Sequence, residues 1–113
     1  MIYKRLVNFS ASIIKDIGFL EKTFASNHLS QQLIRSSSAA ALNYGEAQAS
    51  ESKKDFIHKM KLCLKELRES QVNLQILQKA ELIKDSVMYE KIYNECTELV
   101  AIFAASLKTS QVK

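Results

Sequence analysis

The sequence predicts an all-α fold, an antiparallel up-down four-helix bundle in a single domain. Three observations favour it. The 113 residues include no proline and two glycines, so little interrupts a long helix. Residues that favour helix, chiefly Ala, Leu, Lys, Glu and Gln, are common. Apolar residues make up 47% of the chain and recur every three or four positions in four segments, as on one buried helix face.

The first helix is predicted over residues 3–24 and the second over residues 29–48. The apolar stripe of the first consists of Ile2, Leu6, Phe9, Ile13, Ile17, Leu20 and Phe24. The segment 26–28 is predicted to be the turn, with Ser26 or Asn27 as the N-cap of the second helix. The core stripe of the second helix is rich in small residues: Leu33, Ser37, Ala40, Tyr44 and Ala47. Its second stripe, which predicts packing on two sides, consists of Arg35, Ala39, Leu42 and Glu46.

The third helix is predicted over residues 53–79 and the fourth over residues 86–108. Ser52, with Asp55 three residues on, resembles a capping box at the start of the third helix. The core stripe of the third helix is Phe56, Met60, Cys63, Leu64, Leu67, Gln71 and Leu74, and that of the fourth is Met88, Ile92, Cys96, Leu99 and Phe103.

A second apolar row on the fourth helix makes its apolar face too wide for one seam. This row consists of Tyr89, Tyr93, Val100 and Leu107. It predicts either deeper burial or a subunit interface. With Leu42 of the second helix, these residues form the candidate subunit interface.

Basic residues of the third helix form the first candidate functional site. Residues 50–80 carry a net charge of +3, out of +4 for the whole chain. Within them, basic residues recur at steps of four and three: Lys54, His58, Lys61, Lys65 and Arg68. Such a basic row could follow the phosphates of a nucleic acid through Coulomb attraction and counterion release. The alternative is a solvated outer face, with Lys65 and Glu69 an ordinary i,i+4 pair. No aromatic residue interleaves with the row, so base stacking is not supported there.

Ionic and amide groups of the second and third helices form a second candidate site. If these helices are antiparallel neighbours, groups of the second can meet groups of the third: Arg35, Asn43 and Glu46 on one side, Asp55, Lys59, Glu66 and Glu69 on the other. Such an inter-helix polar network either sets the register of the helices or forms a polar pocket.

Enzymatic, cofactor-dependent and membrane functions find little support in the sequence. A di-iron bundle needs a Glu-x-x-His motif on two helices, and neither His28 nor His58 has Glu three residues before it. There is no Gly-rich phosphate loop, no signal peptide and no apolar run of membrane-spanning length. Cys63 and Cys96 lie on apolar faces and are predicted to be small core residues. We therefore predict a cytoplasmic, non-enzymatic protein with no metal, cofactor or small-molecule substrate.

Four short motifs follow one another along the second and third helices. They are Arg35-Ser36, Asn43-x-x-Glu46-Ala47, Ser52-x-x-Asp55-Phe56-x-His58-Lys59 and Lys65-Glu66-x-x-Glu69. In these motifs, and over about residues 9–77, the chain resembles the bacterial four-helix bundle proteins encoded in 23S ribosomal RNA intervening sequences, often labelled ribosomal protein-like. The resemblance implies an up-down bundle and a homo-oligomer, a closed ring that is typically a pentamer. A related fold serves as accessory protein in diversity-generating retroelements, where a basic ring engages reverse transcriptase and nucleic acid.

Two positions depart from the pattern of this family. Gly45 stands where relatives often carry a basic residue, and Asn73 stands where they often carry tryptophan near the end of the third helix. Two hypotheses follow. The first is a non-enzymatic oligomeric bundle that binds RNA or another nucleic acid through the basic row. The alternative is a protein-interaction scaffold with no nucleic-acid ligand, in which the apolar row of the fourth helix assembles the ring.

Overall fold

Four long α-helices pack side by side in an elongated bundle. The computed structural model describes the backbone of residues 1–112 and the side chains of residues 1–110. In this part of the chain the α-helices are α1 (Ile2–Lys15), α2 (Phe24–Gln48), α3 (Lys53–Lys79) and α4 (Ser86–Val112), with one short 3-10 helix at Ile17–Phe19. The predicted all-α four-helix bundle is confirmed. The bundle measures 45 × 22 × 20 Å.

The boundary between the first two helices was predicted wrongly. α1 ends at Lys15 rather than at residue 24, and α2 begins at Phe24 rather than at residue 29. The N-cap is Thr23, whose Oγ1 accepts a hydrogen bond from the backbone N–H of Ser26 at 3.0 Å. In return, Ser26 Oγ accepts from the backbone N–H of Thr23 at 2.9 Å. Because this capping box satisfies amide groups that the first turn leaves open, α2 begins more than one turn earlier than predicted.

The apolar stripe predicted for the first helix is consequently interrupted. Leu6, Phe9 and Ile13 are buried, whereas Phe24 is 90% exposed because it begins α2 instead of ending α1. Gly18, which lowers helix propensity, lies in the 3-10 helix that follows α1.

The two loops at one end of the bundle hydrogen-bond to each other. Residues 19–21 of the α1–α2 loop and residues 82–85 of the α3–α4 loop form this loop clasp. Leu20 and Ile83 make an isolated antiparallel β-bridge. Three main-chain hydrogen bonds of 2.6–3.0 Å also join the two loops. The clasp therefore joins the α1–α2 pair to the α3–α4 pair. It lies at the end of the bundle opposite the short turn between α2 and α3.

Buried serines mark the places where α2 approaches its two neighbours. Ser36 Oγ lies 2.6 Å from Ser70 Oγ of α3, and Ser37 Oγ donates to Ser10 Oγ of α1 at 3.2 Å. Each of Ser36, Ser37 and Ser70 also has a backbone carbonyl, three or four residues earlier, within hydrogen-bond distance of its hydroxyl. The buried hydroxyls are therefore hydrogen-bonded, and their small size lets the helix backbones come close.

The structure corrects the candidate subunit interface at three positions. Tyr89, Val100 and Leu107 are buried by the chain's own helices. The hydroxyl of Tyr89 also donates to the backbone carbonyl of Leu74 at 2.8 Å. These side chains fill the core of a single chain, which agrees with the first alternative, deeper burial. They therefore offer no surface to another subunit.

Leu42 and Tyr93 differ from the other candidate interface residues. Leu42 is 69% exposed on α2. Tyr93 is half-buried, stacks on Tyr89 and accepts a hydrogen bond from Gln75 Nε2 at 2.9 Å. For these two residues the subunit interface stays a prediction.

α3 ends in a Schellman motif built around a left-handed glutamate. The backbone N–H of Leu82 donates to the carbonyl of Leu77, and that of Glu81 to the carbonyl of Gln78, both at 3.0 Å. Glu81 has φ of 61°. Glycine adopts this region freely, whereas a residue with a Cβ is disfavoured there by about 1 kcal/mol.

Glu81→Gly is therefore expected to raise the free energy of unfolding by about 0.5–1 kcal/mol. The gain from relieved strain exceeds the loss from the more flexible unfolded chain. Urea denaturation measures the change. Glu81→Ala is the matched control, because it removes the same charge and keeps the Cβ. A glycine variant no more stable than the alanine variant would contradict this account.

Candidate nucleic-acid interface

The basic row lies on the outer face of α3. All five of its side chains are exposed. Lys54 and Arg68, at its two ends, are about 21 Å apart along the helix axis, from the 1.5 Å rise per residue. The residues that face the core, such as Met60 and Leu67, lie on the opposite side of the same helix. The row is thus a solvent-facing strip in which Lys54, Lys61, Lys65 and Arg68 carry positive charge.

Few carboxylates neutralise this strip. Lys65 Nζ lies 3.7 Å from Glu69 Oε2, a weak pair between adjacent turns of α3. Among the residues whose side chains are described, Lys54, Lys61 and Arg68 make no salt bridge. Their charges remain available to an anionic ligand, where neutralising phosphates releases counterions.

Ion pairs join α2 to α3 beside the basic row. Arg35 Nη2 lies 2.7 Å from Glu69 Oε1 and 3.3 Å from Glu66 Oε1. Lys59 Nζ lies 2.6 Å from Glu46 Oε1. The charge of Glu66 raises the pKa of Arg35, and the hydrogen bond to Glu46 raises the pKa of Lys59. Glu66 is only 9% exposed, whereas the other four side chains of these pairs are partly or largely exposed. Pairs between exposed groups add little stability, so the clearest effect of these contacts is to hold the register of the two helices.

The other two members of the predicted polar network make local contacts instead. Asn43 Nδ2 donates to the carbonyl of Ala39 at 2.9 Å, within α2. The backbone N–H of Asp55 donates to Ser52 Oγ at 3.0 Å, so Asp55 belongs to the start of α3, where Ser52 is the N-cap. The inter-helix ion pairs thus involve five of the seven predicted residues.

A further ion pair, between α1 and α4, was missed in the sequence. Arg5 Nη2 lies 2.6 Å from Glu95 Oε1 and 3.1 Å from Glu98 Oε1. The hydrogen bond to Glu95 raises the pKa of Arg5. The sequence does place two glutamates one turn apart on α4, an arrangement that can bind one arginine. Spacing along α4 could not show which helix supplies that arginine.

A groove between α2 and α3 adjoins the C-terminal part of the basic row. We call it the α2/α3 groove. Its volume is about 720 Å³. Its aliphatic lining, which we call the floor, consists of Leu29, Leu64, Val72 and Ile76. Its exposed polar lining, which we call the rim, is mostly basic: Gln32, Arg35, Lys61, Lys65, Arg68 and Glu69. The groove therefore combines exposed apolar surface with a net positive rim.

Asn73 lies against this groove and is only 8% exposed. Its Nδ2 donates to the backbone carbonyl of Leu29 at 2.9 Å, which fixes the orientation of the amide. Its Oδ1 is buried and has no hydrogen-bond partner among the described residues. Leaving such a group unsatisfied typically costs about 1–3 kcal/mol. The resemblance expected tryptophan here, and the asparagine leaves the groove without an aromatic side wall.

The two thiols lie in the core, as predicted from their apolar faces. Burial raises the pKa of Cys63 and of Cys96 to about 12 each, so both are protonated at neutral pH. Among the described residues, no helix combines the length and apolarity that crossing a lipid bilayer demands.

The fold and its surface define a class of small all-α bundles that present one exposed basic helix face beside an apolar groove. The model of the 23S rRNA-intervening sequence protein family matches residues 1–105, and the chain belongs to this family. The resemblance drawn from the sequence motifs is therefore confirmed.

A solved structure agrees with this assignment. It is the crystal structure of a protein of unknown function from the S23 ribosomal protein family of Bacteroides thetaiotaomicron. That chain is 28% identical in sequence and superposes with a TM-score of 0.82. The match covers 96% of this chain and 99% of the other. No curated protein is significantly similar.

Proposed function

We propose that this protein is a non-enzymatic, cytoplasmic RNA-binding bundle that holds phosphates on the outer face of α3. The observation that carries the proposal is the basic row: five exposed side chains on one helix face, four of them without a carboxylate partner among the described residues. Attraction of this kind is set by phosphate charge and carries little base specificity. The family name, which refers to an intervening sequence in ribosomal RNA, supports RNA over DNA.

The proposal also includes assembly into a homo-oligomer. Its proposed form is the pentameric ring that the family resemblance implies. Exposed Leu42 and half-buried Tyr93 are the remaining candidates for its interface. A ring would repeat the basic row in every subunit. Several rows on one RNA raise the apparent affinity through effective concentration, without any new contact within a subunit.

Charge reversal tests the RNA-binding face. In a salt series followed by fluorescence anisotropy, the parent protein should bind labelled RNA with a log–log salt slope of about −3, as expected for four phosphate contacts. The variant Lys54→Glu/Lys61→Glu/Lys65→Glu/Arg68→Glu should lose this binding, because four attractions become repulsions.

The matched control reverses four exposed lysines on other surfaces: Lys4, Lys15, Lys84 and Lys108. Both variants have the same net charge, so non-specific effects of charge are equal. The control should bind more tightly than the row variant and keep most of the parent's salt slope. Equal losses in the two variants, or unchanged affinity after reversal of the row, would show that the row is not the binding face.

A protein-interaction scaffold without a nucleic-acid ligand is the second candidate. The observation in its favour is the exposed aliphatic floor of the α2/α3 groove, where Val72 is 51% and Ile76 is 47% exposed. Grooves of this kind accept amphipathic helices of partner proteins. This candidate predicts that the parent protein binds no RNA even at low salt.

A further inference from the structure

We infer that the α2/α3 groove takes unpaired bases of single-stranded RNA while the adjoining basic row holds the phosphates. This inference rests on the proposed function and narrows the ligand to RNA with exposed bases. Two features carry it: the charge of the groove rim, and the continuity between the rim and the row.

The rim of the groove and the basic row share residues. Lys61, Lys65 and Arg68 belong to the row and also line the groove. A phosphate held by any of them lies at the edge of the aliphatic floor. The sugar and base attached to that phosphate can then reach the floor without leaving the row.

The floor explains why the ligand is single-stranded. In an RNA duplex the bases are stacked and paired, and the protein meets mainly phosphates and 2′-hydroxyls. A duplex on the basic row would present no unstacked base face to Val72 and Ile76. An unpaired base has an exposed apolar face, and covering the floor with it removes apolar surface from water on both sides. The groove volume of about 720 Å³ is within the range of small-molecule sites.

Arg35 supplies a flat surface in place of an aromatic ring. Its guanidinium lies at the rim and hydrogen-bonds to Glu66 and Glu69 of α3. These two contacts restrict its orientation. Arginine planes stack on unpaired bases in RNA recognition. The lack of an aromatic residue in the basic row therefore does not prevent base packing in the groove.

The positive charge of the rim argues against a dimer in which the groove packs against the same groove of a second copy of this chain. Two grooves facing each other across a two-fold axis would bring the basic set Lys61, Lys65 and Arg68 of one copy against the same set of the other. Like charges placed so destabilise an interface. The net positive rim favours an anionic occupant, and single-stranded RNA supplies phosphates and apolar base faces at regular intervals.

The test removes the apolar floor and leaves every charge. Val72→Ser/Ile76→Ser replaces two exposed side chains, and serine has a helix propensity close to that of valine and isoleucine. The probes are labelled oligouridylate, which is unstructured, and an RNA duplex with the same number of phosphates. Affinity for oligouridylate should fall at least about fivefold, since covering the exposed apolar surface of these two side chains contributes on that scale. Duplex affinity and both salt slopes should stay the same.

The matched control is Val7→Ser/Ile14→Ser, which changes the same two residue types on α1, where both are also exposed. It should bind both probes as the parent does. Circular dichroism of each variant verifies that the helices are intact.

The outcomes separate this inference from the proposed function. One outcome is that row reversal abolishes binding while the floor variant binds oligouridylate as the parent does. The protein then binds RNA, but the base site is refuted. The floor would in that case have another occupant, such as an acidic amphipathic helix. Equal losses for oligouridylate and duplex also refute the base site. If the parent binds neither probe at low salt, the proposed function fails and this inference fails with it.

Discussion

Leu67→Ala is expected to lower the free energy of unfolding by about 3 kcal/mol, within the range measured for buried leucines. Leu67 is completely buried on α3, and its backbone carbonyl accepts a weak hydrogen bond from Cys96 Sγ of α4 at 3.5 Å. The surrounding side chains belong to long helices that are tied together at several points, so they can close only part of the cavity. Urea denaturation followed by circular dichroism gives the change.

Leu42→Ala is the control for this prediction. It makes the same substitution in a long helix, but at a side chain that is 69% exposed, so the loss should be within about 0.5 kcal/mol. The measurement is repeated at several protein concentrations, because a loss at Leu42 that grows with concentration would place this residue at a subunit interface. Equal losses in the two variants at the lowest concentration would contradict the assignment of Leu67 to the core.

Ser70→Leu should cost about 3 kcal/mol through two effects that act together. Ser70 is fully buried where α2 and α3 come close, and its Oγ lies 2.6 Å from Ser36 Oγ. Leucine is too large for this space and forces the helices apart. It also removes the side-chain partner of Ser36. Thermal and urea denaturation both report the loss.

Two controls separate these effects. Ser70→Ala removes the hydrogen bond without adding volume, and its cost should be about 1 kcal/mol. Ala11→Leu places the same leucine side chain at an exposed position of α1 and should change stability by no more than about 0.5 kcal/mol. If Ser70→Leu is as stable as Ser70→Ala, the helices can separate freely and the close approach is not a constraint on the fold.

The presence of α-helices and the face that each one buries were predictable, because buried residues recur with the period of the helix. Leu33, Ala40, Cys63 and Leu74 were assigned to core stripes, and all four are buried. The boundary after α1 was not predictable from the same signal. Phe24 continues the apolar spacing of α1, and only the hydrogen-bonded cap at residues 23–26 shows that a new helix begins there.

The candidate site was predictable as far as a single helix determines it. The row from Lys54 to Arg68 follows from spacing alone, and its exposure follows from the core stripe opposite. The pairing of Arg35 with glutamates of α3 required only that α2 and α3 be antiparallel neighbours. The α2/α3 groove was missed because it is a gap between two helices, and its size depends on how side chains such as Asn73 fill the contact.

The loop clasp has a consequence for hydrogen exchange. Backbone amides in the loops of a helical bundle usually exchange with solvent early, because their hydrogen bonds open locally. Here the N–H of Glu21 donates to Leu82, and those of Lys84 and Asp85 donate to Phe19, each across to the other loop. Neither the α1–α2 hairpin nor the α3–α4 hairpin can form these bonds alone. Protection of these loop amides therefore reports whether the two hairpins are docked, and it is lost when they separate.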